Sequence, residues 1–158
     1  MNRPGFSSER LAQAVHQLMA GPEKTGQPFL LPGATYGQVY DMAASLRQAM
    51  SCHRGPVCLA AENRAVIAAA LIAGLFVRGP ILLPYACTLS VLEQMRRQID
   101  FALAIVDRDV ALPSGVQPIF PVPTVEVEPA EPLLPAPETE WVCLFTGGSA
   151  GRPMLWSK

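Results

Sequence analysis

Between residues 27 and 107 the chain alternates short, wholly apolar runs with longer segments whose apolar residues recur at helical spacing, and few folds accept that pattern. "GPVCLAAEN", "PILLP" and "FALAIVD" read as strands, apolar throughout as strands are when helices cover both faces of their sheet. Three helical stretches accompany them, one before and two between. "TYGQVYDMAASLRQAM" opens with a capping box of Thr35 and Gln38 and sets Val39, Met42, Leu46 and Met50 along one stripe. A second helix runs from about Asn63 to Val77. The third, "TLSVLEQMRRQI", starts near Thr88, turns Leu89, Leu92, Met95 and Ile99 inward and leaves Glu93, Arg96 and Arg97 outward. "QPFLLPG" reads as a further short strand ahead of the first of these helices. Alternating strands and helices need crossover connections, so the expected fold is α/β: a mainly parallel sheet with helices on both faces.

The flanks of this body differ in texture. Residues 1–26 hold an N-terminal helix, Ser8 to Ala20, with Leu11, Val15, Leu18 and Met19 on one stripe and Gly21-Pro22 as its stop, followed by a linker. The α/β body spans 27–111. From 112 to 140 the chain becomes a Pro-rich acidic connection: eight prolines fall between Pro113 and Pro137, and five glutamates between Glu126 and Glu140 with no Lys or Arg. Proline removes ladder donors and fixes the backbone, so an extended path is expected there. Residues 141–158 close the chain with a strand and a glycine-rich loop.

Charge and cysteine usage exclude several classes of function. A net charge of -1 leaves no clustered basic surface for nucleic acid or anionic lipid, and Lys24 and Lys158 are the only lysines. The four cysteines form no C-x-x-C pair and no metal-ligand spacing with His, so no metal site is expected and reduced thiols are. The longest uncharged stretch, "AVIAAALIAGLFV", is 13 residues, short of the roughly 20 that span a bilayer, and reads as a buried helix. With no signal-peptide pattern at the N-terminus, a reducing cytoplasm is the expected setting.

"WVCLFTGGSAGRPMLWSK" carries the chemistry. Glycines at 147, 148 and 151 permit backbone angles that aim successive amide hydrogens at an anion, with hydroxyls from Thr146 and Ser149 alongside. The pattern is neither the Gly-Lys-Ser/Thr phosphate loop nor the dinucleotide G-x-G-x-x-G. From composition alone, a flexible glycine tail and a phosphate loop remain equal alternatives.

The residue order resembles the signature of the adenylate-forming ligases, the superfamily of acyl- and aryl-CoA synthetases and nonribosomal peptide adenylation domains. Their loop reads aromatic, Thr, Ser, Gly, Ser or Thr, Thr, Gly, any residue, Pro, Lys. Phe145, Thr146, Gly148, Ser149, Gly151 and Pro153 match it, six of the nine specified positions. Upstream, "TYGQVYDMAASLRQAM" is similar to a helix near the start of that family's large domain. "ENRAVIAAALIAGLFVRGPILLPYACTLSVLEQMRRQIDFALAIVD" follows its order of polar turn, alanine-rich helix, Gly, strand ending in Pro, helix and strand ending near Asp. Three positions depart: Gly147 stands for Ser, Ala150 for Thr, and Met154 for Lys.

The resemblance implies an N-terminal subdomain of an enzyme that joins a carboxylic acid to ATP with Mg2+, releases pyrophosphate and passes the acyl group to coenzyme A or an acyl carrier protein. Thr146, Gly147, Gly148, Ser149 and Gly151 would then contact the β- and γ-phosphates. Lys158, one helical turn beyond Met154 if a helix follows Pro153, would supply the missing cation. No catalytic acid or base is assigned. The family's remaining motifs follow this loop, so the expectation is an N-terminal portion, inactive in isolation, whose uncovered sheet favours self-association. The alternative is a non-catalytic α/β binding or interaction module with a degenerate loop.

Overall fold

Successive residues of the central strands belong to two different cores. In the computed structural model, which describes residues 8–29, 33–123, 140–147 and 153–157, Val57 and Leu59 of β1 (Val57–Ala60) face one cluster and Cys58 and Ala60 face the other. The same two-residue period runs through β2 (Ile81–Leu83) and β3 (Leu103–Val106): Ile81 and Ile105 lie on the first side, Leu82, Ala104 and Val106 on the second. Both faces of the sheet are therefore buried, which is why these strands carry no polar residue.

Helices α2 (Tyr36–Ala49) and α3 (Arg64–Gly74) cover the first face, and α4 (Leu89–Gln98) covers the second. Their placement follows from strand order. The six-stranded sheet runs β4-β3-β1-β2-β5-β6, with β4 (Gln117–Ile119), β5 (Val142–Gly147) and β6 (Pro153–Ser157) completing it. Stepping from β1 to β2 and back across to β3 reverses direction, and two crossovers of one hand that step oppositely must pass on opposite faces. All pairings from β4 to β5 are parallel, and only β6 runs antiparallel, to β5. The expected mainly parallel α/β sheet with helices on both faces is the fold observed.

Local signals set the helix ends. The α2 capping box is complete: Gln38 N donates to Thr35 Oγ1 at 3.3 Å and Thr35 N donates to Gln38 Oε1 at 2.9 Å. Asn63 caps α3 by accepting from Ala65 N at 2.9 Å. Helix α1 (Ser8–Ala20) stops at Gly21, which takes φ of 71° under the ring of Tyr40. Alanines dominate the buried side of α3, so the helix lies close to the sheet; a Cβ on Gly74 would meet Ile81 Cγ1 at 2.9 Å.

Four expectations change. Leu89 is 40% exposed and Val91 takes its inward place, because Leu89 opens the first turn of α4, beyond the rim of the sheet. In α1, Val15 is buried but Leu18 is exposed, and the side chain of Leu11 lies outside the described residues. The segment read as a strand at 27–33 contributes an isolated bridge, Pro28 with Thr35, with residues 30–32 outside the described set. Within the Pro-rich stretch, Gln117–Ile119 forms an edge strand; Gln117 N donates to Ala102 O at 2.9 Å, so the ring nitrogen of Pro118 faces away from β3. Beyond it, Val122 N donates to the buried Ser45 Oγ at 2.9 Å, which pins the outgoing chain onto α2. No helix among the described residues is long and apolar enough to cross a membrane.

Candidate functional site

Parallel strands bring all their C-terminal ends to one rim, where doubly wound sheets bind ligands. Here that rim gathers Glu62 and Asn63 after β1, Tyr85 and Cys87 after β2, Asp107 and Arg108 after β3, and Thr146 and Gly147 at the end of β5. Asp107 organises its centre. Its Oδ2 accepts from Glu62 N at 2.8 Å and from Asn63 N at 2.5 Å, placing a carboxylate at the start of α3 where the helix dipole favours it. Its Oδ1 is buried with no hydrogen-bond partner among the described residues. Arg108 forks onto Glu62, Nη1 to Oε2 at 2.7 Å and Nη2 to Oε1 at 2.6 Å. That hydrogen bond and the guanidinium charge hold the Glu62 carboxyl below its ordinary value, but both side chains are exposed, so the pair adds little stability.

The glycine-rich segment begins on this rim. Thr146 is half-buried and Gly147 exposed, both still within β5, and they pair with Met154 and Pro153 of β6. β5 and β6 are thus the paired arms of a β-hairpin, with Thr146 and Gly147 at the rim end of β5. Gly148, Ser149, Gly151 and Lys158, the other expected phosphate contacts, lie outside the described residues. Pro153–Ser157 is a strand, so the helical turn expected to return Lys158 beside Met154 does not form. Four residues of strand advance about 13 Å, against about 6 Å for a helix. Proline at the first position serves a strand start as well as a helix start, which is why the sequence misdirects here.

Beside Asp107 and Arg108, sequence reasoning also missed Tyr85. It is 46% exposed, and its ring lies against Gly147: a Cβ built there would sit 3.5 Å from Cδ2, 3.5 Å from Cε2 and 3.8 Å from Cγ. Three such similar distances put that point over the ring face, not beyond its edge. An aromatic directly after the strand-ending Pro84 is the only signal in the sequence.

Cys58 and Cys143 are buried thiols. Burial, and secondarily the neighbouring Cys87, pushes Cys58 up to about 12, while burial and then Glu140 push Cys143 up to about 11. The folded chain therefore holds these protons more tightly than the unfolded chain. The stability this contributes is complete below the ordinary thiol value of 9.0 and is lost as pH rises through about 11 and about 12. Iodoacetamide at mildly alkaline pH should label the exposed Cys52 in the native chain and spare Cys58 and Cys143, read by mass spectrometry. Labelling of all three at one rate would contradict the packing of β1 and β5.

No protein-family model matches the sequence, and no curated protein matches it. Solved structures do match by fold. McyG A-PCP complexed with phenylalanyl-adenylate superposes with a TM-score of 0.66 at 14% identity, over 100% of this chain and 29% of that one. The Klebsiella oxytoca NpsA N-terminal subdomain in complex with 3-hydroxybenzoyl-AMSN gives a TM-score of 0.60 at 16% identity, over 78% of this chain and 33% of that one. PA1221, an NRPS protein containing adenylation and PCP domains, in its holo form with a vinylsulfonamide inhibitor, gives 0.61 at 20% identity, over 92% and 27%. The chain has the fold found within these adenylation proteins and spans about a third of their length or less.

Proposed function

We propose that this chain is the N-terminal portion of an ATP-dependent ligase that activates a carboxylic acid as its acyl-adenylate and hands the acyl group to a thiol, on a carrier protein or coenzyme A. The observation that carries the reading is positional: the glycine-rich hairpin leaves the rim of a sheet whose fold is that of adenylation proteins. Two of those proteins were solved with an adenylate or an AMSN compound and two contain PCP domains, which supports nucleotide and carrier protein as the partner classes.

In this reading Thr146, Gly147, Gly148, Ser149 and Gly151 cradle the β- and γ-phosphates of ATP. Amide hydrogens fixed in a nest stabilise charge developing on pyrophosphate without reorganising, and the hydroxyls of Thr146 and Ser149 add donors. Among the described residues no group of three or more His, Cys, Asp or Glu side chains could hold a metal. When bound with ATP, Mg2+ would neutralise charge on the departing pyrophosphate, as suits a cation that binds substrate phosphates and keeps several waters. The chain supplies positioning and donors, and the acid, the acyl pocket and the thiol acceptor are served by other parts of the longer enzyme.

One observation favours a second reading, a binding module that no longer handles ATP. Met154 stands in β6 at the position where the ligase signature carries Lys, and no cation occurs from Pro153 to Ser157. Amide NMR of the chain titrated with millimolar ATP and Mg2+ separates the two. Shifts at Thr146, Gly147 and the residues up to Gly151 are expected, and an unmoved hairpin would leave the module reading standing. Carboxylate-dependent exchange of labelled pyrophosphate into ATP should stay at background for this chain alone. Clear exchange would refute the assignment of catalysis to a longer protein.

A further inference from the structure

Helix α1 lies on the body with little of its surface committed. Among its described side chains only Val15 is buried, and Val15 belongs to neither of the two core clusters; Ala12 and Met19 are half-buried and Leu18 is 40% exposed. A helix of 13 residues is marginal in water by itself, so α1 keeps its shape by leaning on the body. Its C-terminal end leans on Tyr40 of α2. The phenol donates at 2.5 Å to Leu18 O, one of the last four carbonyls of the helix, which Gly21 N also reaches at 3.3 Å. The ring lies against Gly21: a Cβ built there would sit 3.4 Å from Tyr40 Cε1. Just downstream the attachment changes. Gly37 N donates to Thr25 O at 2.8 Å, Tyr36 N to Gln27 O at 3.0 Å and Phe29 N to Ala34 O at 2.9 Å, and the Phe29 and Tyr36 rings meet edge to face with centroids 5.1 Å apart. Residues 25–29 are thus tied by backbone bonds to the start of α2, which leaves 21–24 as the boundary between a lightly held helix and a fixed segment.

We propose that α1 is a hinged arm that opens from the body as a unit while the sheet and its helices stay folded, with Tyr40 as the latch and residues 21–24 as the hinge. The hinge has the residues such a joint needs. Gly21 holds φ of 71°, an angle that costs it nothing and that it can leave freely, and Pro22 prevents α1 from running on into the fixed segment. The latch is a single side chain on α2, whose own inward residues Val39, Met42, Ala43 and Leu46 remain in the core whether or not the arm is closed. Opening therefore costs the body the margin of one core, where Met19 packs, and neither centre. It also completes an apolar stripe, since Val15 and Met19 come free beside Leu18, which is exposed even in the closed arm. The fold thus carries an element with two states, set by contacts that the rest of the body does not need.

The test is native-state hydrogen exchange of the full chain, read by mass spectrometry on peptides from α1, α2 and α3. In the wild type the α1 amides should exchange about 100-fold faster than those of α2 and α3, the gap between local and global opening, yet slower than in a free peptide. Tyr40→Phe keeps the ring against Gly21 and removes only the latch bond, so it should speed exchange in α1 about fivefold, the order of one neutral hydrogen bond, and leave α2, α3 and the urea midpoint unchanged. Val15→Ala, at the buried side chain of the arm, should act in the same direction and again in α1 alone. Equal protection of α1 and α2, or acceleration of both together in either variant, would make α1 part of one cooperative body and overturn the arm. Peptide-like exchange of α1 in the wild type would remove the closed state and overturn it as well. An unchanged α1 rate in Tyr40→Phe would overturn the latch.

Discussion

Gly79→Ala is expected to unfold most of the population, at a cost of about 3–5 kcal/mol. A Cβ at position 79 would stand 2.0 Å from the Gly55 carbonyl oxygen, 2.4 Å from its carbon and 3.0 Å from Pro56 N. All three are backbone atoms, so no rotamer change relieves the overlap; one strand of chain must move by more than an ångström. Neither can move cheaply. Gly55-Pro56 leads into β1 and Gly79-Pro80 into β2, and Val57 N is already bonded to Pro80 O at 3.1 Å. Separating them pulls apart the two central strands at their entry. A domain of this size has about 5–15 kcal/mol in total, so the loss should show as a large fall in the urea midpoint or as no cooperative transition. Gly26→Ala is the control, since nothing lies within 4 Å of its would-be Cβ. A midpoint for Gly79→Ala close to that of Gly26→Ala would mean that the two entry segments do not cross as described.

Phe145→Ala and Leu144→Ala should differ by most of the worth of an aromatic side chain, although they are neighbours in the same motif. Phe145 is fully buried in the core beneath α4, with Leu82, Leu92 and Cys143 in the same cluster; Leu144 points to the opposite face and is 46% exposed. Emptying the Phe145 site should cost about 3–5 kcal/mol, and Leu144→Ala below about 1 kcal/mol, measured by urea denaturation. The distinction bears on the site as well. Phe145 is the anchor immediately before Thr146 and Gly147, so in its absence the hairpin loses its fixed origin on the rim. Similar losses for both variants would place the register of β5 one residue out.

Much of this fold was legible because its signals are local. The bounds of α1 follow from Ser8 and from Gly21-Pro22, and the α2 cap from two side chains three residues apart. The β1-α3-β2-α4-β3 series follows from apolar runs that only a doubly covered sheet explains. What escaped depends on long-range context. Gln117-Pro118-Ile119 has no strand periodicity, yet an edge strand needs donors on one side only, and Pro118 keeps its missing one outward. Pro153 signals a chain start without saying whether helix or strand follows, and the pairing with β5 decides for strand. In the candidate site, Thr146 and Gly147 could be read from the glycine pattern. Tyr85, Asp107 and Arg108 could not, because they reach the rim from separate strands and nothing in their spacing announces it.

The two ends of the strand order are not alike. At β4 the row of outward backbone groups is interrupted by Pro118, whereas from Met154 to Ser157 β6 has no proline. Among the described strands these are the two boundaries, and they differ in whether another strand can dock. The sheet thus has a finished end and a growing end: a strand from this chain or another finds an unbroken ladder at β6 and a missing rung at β4.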